Sequence, residues 1–127
     1  MKHVHAGRKL ERNRNGRRAL VRGLVESLVV HGRITTTEAR AKEIKSRVDR
    51  LLNFAKEAGS VSDTDSSRRV AILRLLKKRV SSVTLHRLSD RDFVSRFSSR
   101  QSGYARVIKM PPRRSDGARV AVLEFVD

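Results

Sequence analysis

Tyr104-Ala-Arg-Val-Ile-Lys-Met110, then Pro111-Pro112, Arg113-Arg-Ser-Asp-Gly117 and Arg119-Val-Ala-Val-Leu-Glu-Phe-Val126 form the stretch that separates a purely helical chain from a mixed one. The first run is rich in strand-forming residues, and it must end at the two prolines, because neither can donate to a ladder. Arg113 to Gly117 reads as a turn with an exposed basic tip, and Arg119 to Val126 as the returning strand of a hairpin. Alternation puts Leu123 and Phe125 on the inward face, with Val122 and Glu124 on the other. Two strands alone are marginal in water, so a third is needed. The short β-branched run Arg33-Ile-Thr-Thr36 is available.

Everything between and before these strands carries helical signals. Leu20, Leu24 and Leu28, beside Val21, Val25 and Val29, predict a helix over Arg17–His31, with Asn15 as N-cap and Gly32 closing it. Thr36 or Thr37 caps a second helix, which carries Glu38 in its first turn. Its core face is Ala41, Ile44, Val48, Leu51, Leu52 and Ala55, and it ends near Gly59. Its other face interleaves Arg40, Lys42, Lys45, Arg47, Arg50 and Lys56 with Glu43, Asp49 and Glu57, the pattern of a solvated, salt-bridged surface. Ser60–Ser67 is a polar linker with a helix cap at its end. Arg68–Arg79 is a third helix packing Val70, Leu73, Leu76 and Ile72. Val80–Leu88 suits either period and is read as helical, and Ser89 caps a short helix holding Phe93, Val94 and Phe97. The expected fold is α+β: three to four helices packed on a small sheet of about three strands, with a basic extended N-terminal arm. Residues 1–16 are the arm and 17–127 a single domain.

The arm concentrates charge. In its first 23 residues the chain sets Lys2, Arg8, Lys9, Arg12, Arg14, Arg17, Arg18 and Arg22 against one acid, Glu11. Alone, such a segment cannot bury enough surface to offset its ordering entropy. A polyanion changes that, because Arg and Lys displace condensed counterions while Arg, Asn and His donate to phosphate, sugar and base edges. A formal charge of +17 over 127 residues points to an anionic, extended partner, and the dominance of Arg over Lys favours structured RNA or DNA. The competing reading is a solvated charge run that serves solubility.

Other classes fit worse. With no cysteine, neither a disulfide framework nor a zinc finger forms. No signal peptide or membrane span is expected, and a membrane surface lacks its aromatic anchors, since Trp is absent. There is no phosphate-binding glycine loop, serine elbow or metal-spaced histidine pair. His86, Ser89 and Asp90 have the residue types of a triad but not its geometry. His3 with Lys2 and the terminal amine could chelate copper or nickel, but contact with RNA suits His3 and His5 better. The expectation is no enzyme, no metal, no cofactor and no small-molecule substrate.

Gly7-Arg-Lys-Leu-Glu-Arg12 leading to Arg17-Arg-Ala-Leu20, Ile34-Thr-Thr36 leading to Ala41-Lys-Glu43, Gly103-Tyr-Ala-Arg106 and Ala121-Val-Leu-Glu-Phe-Val-Asp127 together resemble bacterial large-subunit ribosomal protein seventeen. The resemblance implies a small α+β protein of the large subunit that binds its ribosomal RNA and assists assembly near the peptide exit tunnel. It implies neighbouring large-subunit proteins as partners and a cytoplasmic, ribosomal location, with no membrane contact and no homo-oligomer. The family's arm pattern falls on Gly7, Arg8, Leu10, Arg12, Arg17 and Ala19, its second motif on Thr35, Thr36, Ala41 and Lys42, and its third on Gly103, Tyr104 and Arg106. Departures are Gly16, where the family commonly has histidine, a poor match over 77–92, and Ser115-Asp116 in the turn.

The expected RNA contacts are therefore Lys2, His3, His5, Arg8, Lys9, Arg12, Asn13, Arg14, Asn15, Arg17, Arg18 and Arg22 in the arm and first helix, with Thr35, Thr36 and Lys42 beyond it. Arg96, Arg100, Tyr104, Arg106, Lys109, Arg113 and Arg114 would form a second surface around the hairpin. The alternative is a DNA-binding nucleoid-type protein, which would need a polar recognition helix or paired arms.

Overall fold

A computed structural model of the chain describes residues 7–127. Lys2, His3 and His5 lie outside the described residues. The elements run α1 (Arg14–His31), β1 (Arg33–Thr37), α2 (Glu38–Ser60), a 3-10 turn (Asp63–Asp65), α3 (Ser66–Arg79), α4 (Ser82–Ser89), α5 (Arg91–Ser95), β2 (Ala105–Lys109) and β3 (Val120–Phe125). The fold is α+β as expected, with five helices once the two short ones are counted.

All three strands are antiparallel in the order β1-β3-β2, so the C-terminal strand is central and β1 supplies the third partner. Register pairs Ile34 with Leu123, and Leu123 in turn with Val107. Ala121, Leu123 and Phe125 therefore face the core with Ile34 and Val107. Val122 is also buried, although it sits on the open face, because Thr35 and Ile108 flank it across the ladder.

Helix α1 starts at Arg14, three residues earlier than its apolar stripe predicts. Its cap is Asn13, not Asn15: the Asn13 side chain accepts from Gly16 N–H at 2.7 Å, satisfying a donor that the first turn leaves open. Gly32 closes the helix at φ +77°, its N–H donating to the Leu28 carbonyl at 2.8 Å. That left-handed position costs glycine nothing. Val21, Val25, Leu28 and Val29 are buried, whereas Leu20 and Leu24 lie half-buried at the edge of the stripe.

Helix α2 is the axis of the core, burying Ala41, Ile44, Val48, Leu51, Leu52, Ala55 and Ala58. Two of its charged residues are structural. Asp49 accepts the backbone N–H groups of Gly103 and Tyr104 at 3.4 and 3.1 Å, and Lys56 donates to the Arg100 carbonyl. Both tie the segment before β2 to the helix, so only part of that face is solvated and salt-bridged.

Helix α3 begins at Ser66 and turns Ile72 and Leu76 inward, leaving Val70 43% exposed. Ser81 caps α4, and Thr84, not Val83, points inward. Thr84 is accommodated because its hydroxyl meets Ser81 Oγ at 3.1 Å. Asp90 rather than Ser89 caps α5, accepting from Asp92 N–H at 3.1 Å. Phe93, Phe97, Tyr104 and Phe125 then interlock edge-to-face or tilted, with centroids 5.2–5.8 Å apart, which seals the core under the sheet.

Candidate nucleic-acid interface

The arm enters α1 through a tight reversal. Leu10 and Glu11 have φ of 55° and 53°, and Arg12 N–H closes on the Lys9 carbonyl at 3.2 Å. Positive φ at both central residues is the type I′ geometry, which costs an L-residue roughly 1–2 kcal/mol each. Arg8 N–H anchors the arm to α2 through Glu43 Oε2 at 3.3 Å. Arg8, Lys9, Arg12, Arg14, Asn15, Arg18 and Arg22 are exposed. Arg17 is half-buried, its Nη1 3.5 Å from the Arg12 carbonyl, and Asn13 Oδ1 is committed to the cap. Among the described residues, no carboxylate lies within ion-pair distance of these arginines or Lys9.

A recess of about 320 Å³ at the start of α2 brings Arg8 of the arm together with Thr37, Lys42 and Arg119 around Glu38. Lys42 and Lys109 both approach Glu38, at 2.5 and 3.8 Å. The hydrogen bond from Lys42 holds the Glu38 carboxyl below its ordinary range, with Lys109 and Arg119 adding to the effect. Lys42 therefore already has a counterion within the chain. Thr35 and Thr36 separate, because successive strand residues alternate faces. Thr35 lies exposed on the open sheet face, and Thr36 is half-buried opposite Ala121.

Around the hairpin the expected cations are largely compensated. Arg96 meets Asp127, Arg106 meets Glu124 at 2.6 Å and Arg113 meets Asp116 at 3.3 Å. Arg114 is exposed and Arg100 half-buried, both without a carboxylate among the described residues. Tyr104 is a correction to the expected contact set. It is 0% exposed, with its ring edge-to-face on Phe97, so no base can stack on it.

Sequence reasoning missed Arg119 and the exposed run Lys77-Lys78-Arg79. The run was visible as charge at the end of the expected third helix, but its exposure and its neighbours on α1 and α2 are set by packing. No helix of the described residues is long and apolar enough to cross a membrane.

The sequence model of the family described as "Ribosomal protein L17" matches residues 20–126. The chain is 37% identical over 120 residues to the large ribosomal subunit protein bL17 of Staphylococcus haemolyticus, covering 94% of this chain and 98% of that protein. It is 38% identical over 128 residues to that of Lactiplantibacillus plantarum and 39% over 119 to that of Staphylococcus carnosus, with the same coverage. With a match across both the helical core and the sheet, at full-length coverage of its relatives, the chain belongs to the ribosomal protein L17 family.

Proposed function

We propose that this protein is a structural constituent of the large ribosomal subunit in the cytoplasm, binding large-subunit ribosomal RNA and supporting subunit assembly near the peptide exit tunnel. The observation that carries the reading is the segregation of charge. Among the described residues, the arm and α1 hold exposed cations without an ion-paired carboxylate, whereas the cations of the hairpin are mostly paired. Arg8, Lys9, Arg12, Arg14, Arg17, Arg18 and Arg22 neutralise phosphates, Asn15 reaches sugar or base edges, and residues 17–127 act as the domain that holds this surface rigid. Lys2, His3 and His5 are assigned the same RNA-contacting role from their chemistry. With Tyr104 in the core, recognition rests on backbone and shape rather than base stacking. Neighbouring large-subunit proteins complete the surroundings, and no catalysis, membrane partner or homo-oligomer is assigned.

The DNA-binding alternative is weaker, since α1 commits its valines to the core rather than to a groove-reading face. Sucrose-gradient sedimentation of a tagged copy, washed in high salt, tests the choice. Salt-resistant co-sedimentation with the large subunit is expected. Recovery in free or DNA-bound fractions would refute the proposal.

A further inference from the structure

We infer that Arg22 and Arg79 form a two-guanidinium clamp for an RNA phosphate, where α1, α2 and the C-terminal end of α3 meet. This rests on the RNA-binding reading above and extends its arm and α1 surface past Arg22 onto the end of α3, away from the hairpin.

Each guanidinium is held by a different contact. Arg22 Nη2 donates to the backbone carbonyl of Lys78 at 3.2 Å. That carbonyl lies in the last turn of α3, where no helical N–H is left to satisfy it. The bond fixes one corner of the fork and leaves the other donors free. Arg79, the next residue, lies over the Phe54 ring of α2, 5.7 Å from its centroid. A guanidinium held near a ring face by cation–π attraction keeps N–H donors for phosphate oxygens, which it can meet in pairs.

The surroundings supply charge without cancelling it. Lys78, the residue before Arg79, is exposed, as is Arg50, one turn before Phe54 on α2. Among the described residues no carboxylate lies within ion-pair distance of Arg22, Arg50, Lys78 or Arg79. Elsewhere Glu38, Glu43, Glu57, Asp90, Asp116, Glu124 and Asp127 each hold a cation. Glu26, a turn beyond Arg22, is half-buried and makes no ion pair. Arg14, Arg18 and Arg22 recur every four residues, a step of about 6 Å along α1. They make a track from the arm to the clamp, which suits an extended polyanion better than a short acidic peptide. Cations in a helix's last turn also offset its dipole, but that role needs neither the bond from α1 nor the stack on α2.

The test uses the full chain and purified bacterial large-subunit ribosomal RNA, with affinity measured between roughly 50 and 200 mM salt. The Arg22→Gln/Arg79→Gln variant should bind more weakly, with a log–log salt slope shallower by about 1.4–1.8, two contacts at ~0.7–0.9 each. Arg68→Gln/Arg87→Gln, whose cations already face Glu57 and Asp90, should keep the parent slope. A parent slope in the Arg22/Arg79 variant, alongside a shallower one for Arg12→Gln/Arg17→Gln, overturns the clamp and leaves the RNA-binding reading intact. Failure of the parent to bind RNA overturns both. If the glutamine pair unfolds, Arg22→Lys/Arg79→Lys decides, because it keeps the charge and removes the fork: affinity reduced at least about threefold supports the clamp, and unchanged affinity overturns it.

Discussion

Replacing Tyr104 by Phe separates a core residue from an RNA contact. The Tyr104 ring is wholly buried, and its hydroxyl meets three partners: Asn53 Oδ1, the Arg100 carbonyl at 3.1 Å and Lys56 Nζ at 3.3 Å. Phe keeps the ring and its contact with Phe97, so no cavity opens, and the loss is confined to the hydroxyl. Leaving buried polar partners short of a bond costs about 1–3 kcal/mol. Lys56 retains the Arg100 carbonyl, which places the cost near the lower half of that range, about 1–2 kcal/mol. An unfolding entropy of about 2.1 cal/mol/K per residue over some 120 residues gives about 0.25 kcal/mol/K, so Tm should fall by roughly 4–8 °C. Circular dichroism melting of the free protein measures the shift. RNA affinity, taken well below both melting points, should stay at the parent value. A variant that melts like the parent yet binds RNA severalfold more weakly would refute the assignment and return Tyr104 to the interface.

Five further substitutions probe other elements. Leu28→Ala should cost roughly 3–5 kcal/mol in denaturant unfolding, because Leu28 is fully buried, whereas the half-buried Leu24→Ala should cost less than half as much. Asn13→Ala should destabilise α1 by about 0.5–2 kcal/mol and Asn15→Ala by far less; equal effects would mean the cap is misplaced. Glu38 is a carboxyl with a lowered folded pKa, so its contribution to stability is present above its unfolded value near 4.5 and fades as pH falls through the folded one. Glu38→Gln should flatten the acid side of a Tm-against-pH curve below about pH 4.5, and an unchanged curve would count against the Lys42 bond.

The hairpin, the third strand and the core faces of α1 and α2 were legible because each is a local pattern with one period: alternation in Val120–Phe125, heptad-like spacing from Ala41 to Ala55. Where the pattern was weak, neighbours decided. Val70 was expected in the core with Ile72 and Leu76, but α3 is rotated so that only the latter two are buried, and in the ambiguous 80–88 stretch it is Thr84 that faces inward. The cap of α1 moved from Asn15 to Asn13 because either asparagine suits the sequence, and only the backbone geometry selects one.

The sequence by itself determined the main element types, the α+β class and the basic, acid-poor N-terminal stretch, since these follow from side-chain chemistry and spacing along one chain. The tertiary structure alone decided which cations are free. Arg106 and Arg96 find acids distant in sequence, while Arg22 reaches the Lys78 carbonyl at the end of α3, where Arg79 lies over Phe54 of α2. It also decided that Tyr104 belongs to the core, because Asn53 and Lys56 of α2 and Phe97 beyond α5 meet it from distant parts of the chain. Charge can be counted along a chain, but pairing depends on distances that only packing sets.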